Sequence, residues 1–124
     1  MTVQELINKV NKEKPNGFAE ADLISFINEI EAQVCDEMGE TIVQYTTSDT
    51  DKAKTLKVPA PYDKLYLSYV IARVDKADDE LNSYANNLVQ HNSDYQEFVA
   101  WIVREDKFSD DYKERRVTRF RNVF

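Results

Sequence analysis

Few side chains in this sequence are of a kind that does chemistry. There is one cysteine, Cys35, one histidine, His91, and a large supply of carboxylates, with 23 acidic against 16 basic residues. A lone cysteine forms no internal disulfide, which suits a reducing compartment. Cys35 reads as a small buried hydrophobe rather than a reactive thiol. His91 has no visible acid, thiol or second histidine to form a constellation with, so it reads as a surface or seam-edge residue rather than a ligand or base. The carboxylates Glu20, Asp22, Glu29, Glu31, Asp36 and Glu37 fall mostly off an apolar stripe, as a solvated helix face would place them. They have no His or Cys partners of the kind a transition-metal site favours. A Gly-rich phosphate loop, a G-x-S-x-G elbow and an H-E-x-x-H pair are all missing. The expectation is a protein that is not an enzyme and holds no cofactor or metal. The enzymatic alternative would need three acids gathered around a divalent cation.

Charge narrows the partners. The net charge of −7 argues against a general nucleic-acid binder, because phosphate contacts need a basic surface. The charge is also uneven. Residues 1–105 carry 10 basic and 19 acidic side chains, whereas residues 106–124 carry 6 basic and 4 acidic. Arg115, Arg116, Arg119 and Arg121 close the sequence without an acid among the last ten residues. No apolar run approaches the roughly 20 residues of a membrane helix, and Met1–Asn11 lacks the apolar core of a signal peptide.

At 124 residues the expectation is one domain, with a helical body over 1–105 and a basic, aromatic tail over 106–124. Thr2 with Glu5 forms a capping box, and Val3, Leu6, Ile7 and Val10 follow one helix face up to Pro15-Asn16-Gly17. A second helix from about Ala19 to Met38 carries the stripe Leu23, Phe26, Ile27, Ile30 and Val34. The short loop makes these two helices a hairpin of neighbours.

Residues 40–58 change period. The β-branched run Thr41–Thr47, a polar turn over 48–54 and Thr55–Val58 predict a short β-hairpin or an extended arm. Such a hairpin must lean on a helix or another subunit.

The stretch V-P-A-P-Y-D-K-L-Y-L-S-Y-V-I-A-R-V-D (58–75) then predicts a central helix with Pro61 in its first turn. Leu65, Tyr69 and Ala72 mark one face and Leu67, Ile71 and Val74 another, so it is buried on several sides. Asp78 and Asp79 offer caps for a long fourth helix running to about Glu105. Its stripe is Leu81, Ala85, Leu88, Tyr95, Val99 and Ile102, widened by Tyr84, Phe98 and Trp101 and interrupted at His91 and Asn92. A last short helix after Ser109 would carry Val117, Phe120 and Phe124 among arginines. The fold class is all-α: a four-helix antiparallel bundle-like domain, an arm between helices two and three, and a C-terminal tail.

The 58–75 run, the spacing L-N-S-Y-A-N-N-L and the segment D-Y-Q-E-F-V-A-W resemble the head–tail connector (adaptor, head-completion) proteins of tailed bacteriophages and prophages. The opening helix, Pro-Asn loop and acidic second helix are similar too, so the resemblance spans about residues 2–104. Relatives with this pattern commonly carry an Asn-Gly-like turn where this chain has Asp78-Asp79, and often stop soon after the Trp-containing helix.

The resemblance implies a structural virion protein, made in the bacterial host cytoplasm and located at the head–tail junction. It would be monomeric in isolation and assemble as a ring, typically of twelve subunits, on the portal protein. The ring would extend the DNA channel toward a stopper or tail-completion protein, with DNA passing through without specific binding. Arg115, Arg116, Arg119, Phe120 and Phe124 would grip the portal. Ile42, Tyr45, Tyr66, Leu67 and Ile71 would meet neighbouring subunits. The alternative is a helical protein–protein adaptor or regulatory module that binds its partner through the tail.

Overall fold

The structure, a computed structural model, describes residues 1–107. It contains α1 (Val3–Glu13), α2 (Glu20–Met38), a single turn α3 (Asp49–Lys52), α4 (Lys64–Ala77) and α5 (Leu81–Glu105). The chain is all-α and bundle-like, as its periodicity predicts. α4 is the hub, packing on α1, α2 and α5.

The two N-terminal helices follow from local chemistry. The Thr2 hydroxyl accepts from the Glu5 amide at 3.1 Å, and the Glu5 carboxylate accepts from the Thr2 amide at 3.4 Å. Val3, Leu6, Ile7 and Val10 are all buried. Asn16 closes the α1–α2 loop by accepting from the Phe18 amide at 3.0 Å and donating to the Lys14 carbonyl at 2.9 Å. α2 ends at Gly39, whose φ of 71° is the left-handed geometry a residue without Cβ adopts freely. The Glu40 amide then reaches back to the Cys35 carbonyl and the Gly39 amide to that of Asp36, which is the Schellman pairing.

The turn between α4 and α5 uses the same device. The Glu80 amide bonds the Asp75 carbonyl at 2.9 Å and the Asp79 amide that of Lys76 at 3.2 Å, with Asp79 in the left-handed region at φ 57°. Asp78 and Asp79 therefore close α4 rather than cap α5. The N-cap position of α5 is Glu80, which makes no side-chain cap bond. Pro61 also falls outside its expected place. It lies in a turn closed by the Tyr62 amide on the Pro59 carbonyl, with a cis Ala60–Pro61 peptide, and α4 starts three residues later.

The expected β-hairpin between α2 and α4 does not form; the extended arm does. Among the described residues the sole bridge joins Thr55 to Thr2 in antiparallel sense. The Val3 amide bonds the Lys54 carbonyl and the Leu56 amide that of Met1. Thr55–Val58 thus pairs with the start of the chain, not with Thr41–Thr47. The first half of the arm is satisfied by a side chain instead. Asn28 accepts from the Tyr45 amide at 2.8 Å and donates to the Tyr45 carbonyl at 3.0 Å, standing in for a neighbouring strand. The polar turn is α3, capped by Ser48, whose hydroxyl accepts from the Asp51 amide at 3.2 Å. Asp51 accepts from the Thr46 amide and hydroxyl, each at 2.7 Å, and pairs with Lys54 at 2.9 Å. The Thr46 hydroxyl first and then Lys54 hold its carboxyl down at about 2.

Candidate interaction surface

The buried carboxylates are tied into the fold. Glu31, read from sequence as part of a solvated face, is fully buried. It accepts from the Tyr66 hydroxyl at 2.7 Å, the Tyr45 hydroxyl at 2.8 Å and the Lys57 amide at 3.1 Å. The Tyr66 hydroxyl in turn accepts from the Val58 amide at 2.9 Å. One carboxylate therefore joins α2, α4 and both halves of the arm. Burial first, and Glu31 beside them, push both tyrosine hydroxyls above their ordinary range, so they stay protonated donors. The signal was in the spacing, because Glu31 continues the inward row Ile24, Ile27, Val34 and Met38 at helical steps.

Asp75, also fully buried, meets Lys14 at 2.8 Å and accepts from Asn87 at 2.6 Å, which fastens α1 and α5 to the end of α4. Glu29 takes Arg73 through Nε at 2.9 Å and Nη2 at 3.3 Å, and accepts the Tyr69 hydroxyl at 2.9 Å. Burial works to raise the Glu29 carboxyl, but Arg73 and Tyr69 outweigh it and hold it below its usual range.

Cys35 is buried, and desolvation pushes its thiol up, away from reactivity. His91 is not on the surface but inside the α4–α5 seam. Its Nδ1 lies 3.0 Å from the Leu65 carbonyl, which can only accept, so Nδ1 carries the proton. The ring sits between Tyr69 and Tyr95. Among the described residues no three His, Cys, Asp or Glu side chains gather into a cation site, and no helix is long and apolar enough to cross a membrane.

The residues expected at a subunit interface separate into two groups. Tyr45 and Tyr66 lie in this chain's own core, with their hydroxyls on Glu31, and offer a neighbour no surface. Leu67 and Ile71 are half-buried on α4, and Ile42 is 54% exposed on the arm. Arg115, Arg116, Arg119, Phe120 and Phe124, with the expected tail helix, lie outside the described residues.

The largest departure concerns α5. Its buried residues are His91, Asp94, Phe98 and Ile102: Phe98 and Ile102 belong to the expected stripe, whereas His91 is its expected interruption and the start of the stripe lies open. Leu81 is 66% exposed, Val89 69% and Val103 60%. With exposed Ala85 and half-buried Val99, these residues lie along one open side of the helix, interrupted midway by exposed Asn92 and Gln96. Its first half is the barer, since every fully buried residue of α5 lies at or beyond His91.

Comparison of the chain with protein-family models, curated proteins and solved structures gives no significant match.

Proposed function

We propose that this chain is a head–tail connector of a tailed bacteriophage or prophage, a structural subunit that assembles as a ring on the portal and lengthens the DNA channel toward the tail. The observation that carries this reading is the open row Leu81, Ala85, Val89 and Val103 on α5. Leu81, Val89 and Val103 are each more than half exposed on one side of a single helix, and in our reading another protein covers that side. The identity proposed for the assembly rests on the resemblance carried by the aromatics and prolines over 58–75.

A closed ring uses two different faces of each subunit, because its contacts are head-to-tail. The α5 row is one such face in our reading. The arm, where Ile42 stands exposed, is the other, with Leu67 and Ile71 half-buried on α4. The acidic surplus of residues 1–105 suits a channel wall that duplex DNA must slide past without being held.

The test is a double variant, Leu81→Glu with Val89→Glu, mixed with portal particles and sedimented. The isolated variant should melt within about 0.5 kcal/mol of the parent, because neither side chain is packed. It should fail to co-sediment where the parent does. Undiminished co-sedimentation of the variant would remove the α5 row from the assembly.

A further inference from the structure

A cleft of about 330 Å³ opens between α4 and the first half of α5, with Glu29 of α2 at its edge. Ala72, Leu88 and the Tyr84 ring give it apolar surface, while Arg73 and Lys76 bring two cations three residues apart on α4. Glu29 neutralises one of them. It engages the Nε and Nη2 side of Arg73, and the Phe26 ring lies 4.8 Å from the guanidinium carbon. Lys76 makes no ion pair among the described residues, and its ammonium stands 5.8 Å from the centre of the Tyr84 ring. The cleft thus holds one surplus positive charge in a body whose overall balance is strongly negative.

We propose that this cleft binds a carboxylate side chain, Asp or Glu, presented by an acidic segment of a partner protein. Charge complementarity selects the occupant. The carboxylate meets the Lys76 ammonium and the edge of Arg73 that Glu29 leaves open, and the volume, at the lower limit for small-ligand pockets, admits one side chain rather than a cofactor. The chain's own C-terminus is the wrong sign, because its last ten residues carry four arginines and no acid. The inference does not depend on ring assembly.

The probe is the capped tetrapeptide acetyl-Leu-Glu-Glu-Leu-amide, titrated into the full chain and followed by amide chemical shifts. Acetyl-Leu-Lys-Lys-Leu-amide serves as the opposite-charge control. Saturable shifts are expected at Ala72, Arg73, Lys76, Tyr84 and Leu88, weakening several-fold as salt rises from about 20 to about 200 mM. The Lys76→Glu variant alters an exposed residue and should lose about tenfold or more in affinity with the rest of its spectrum unchanged. Lys76→Gln, which only removes the charge, is the second variant and should fall between. No shift in the cleft, equal shifts with the lysine peptide, or full affinity in both variants would each overturn the assignment.

Discussion

Glu31 shows how a single side chain organises this chain. It is a buried acid with three donors and no cation beside it in the hydrogen-bond set, joining α2, α4 and the arm. Glutamine in its place keeps one acceptor oxygen but turns an N–H toward donors that have nowhere else to point. We expect Glu31→Gln to lower unfolding stability by about 2–3 kcal/mol, the cost of leaving buried hydrogen-bonding groups unmet, as read from urea titration. A loss below about 0.5 kcal/mol would show that the cluster is not an anchor.

Asp79 makes the opposite prediction. It occupies a left-handed position suited to glycine, so Asp79→Gly should be neutral to stabilising, by up to ~1 kcal/mol in the same assay. His91 supplies a pH dependence. Burial lowers its pKa, partly offset by the Leu65 carbonyl and by Asp94. The unfolded chain therefore binds this proton more readily than the folded one. The His91 contribution is flat above the ordinary value of 6.5 and becomes destabilising as pH falls below it. His91→Asn, which keeps a donor for the Leu65 carbonyl, should flatten melting temperature between neutral pH and about pH 5. Asp51 titrates in a separate window, since its stabilisation is present above 3.8 and lost as pH falls toward 2.

Among the elements, legibility follows how local the determining chemistry is. α1 is legible almost to the residue, because its capping box and apolar stripe are local and both hold. The central role of α4 is legible too, from the several apolar faces of 64–77. The face of α5 is legible over its second half, where Phe98 and Ile102 are buried and Tyr95, Val99 and Trp101 pack on the core, but not over its first half, where Leu81 and Ala85 are exposed. Its seam with α4 is built partly from polar groups, with His91 on the Leu65 carbonyl and buried Asp94 4.0 Å from the Lys64 ammonium. A hydrophobic pattern cannot register bonds of that kind. The hairpin expected within the arm fails for a related reason. The partner of its first half is the Asn28 side chain and the partner of its second half is the N-terminus, both distant in sequence. Asn28→Ala should leave the helices folded and cost about 1–2 kcal/mol. Hydrogen exchange should accelerate at the Tyr45 amide and its neighbours while α1 and α4 stay protected. Unchanged exchange at Tyr45 would mean that the arm is held by other contacts.

At the scale of the whole molecule, three carboxylates are spent on architecture: Glu31 on the arm, Glu29 on Arg73, and Asp75 on Lys14 and Asn87. What the fold leaves unspent is surface, namely the open row on α5, the cationic cleft beside it and the acidic exterior. That distribution is the reason for reading the protein as a piece set between larger pieces. Electron microscopy of purified portal rings, imaged with and without an excess of this protein, tests that reading most directly. The account predicts a second tier of ring-shaped density on the tail-facing side of the portal, with the symmetry of a subunit repeated around the channel. Portal rings that stay bare at saturating protein would contradict it.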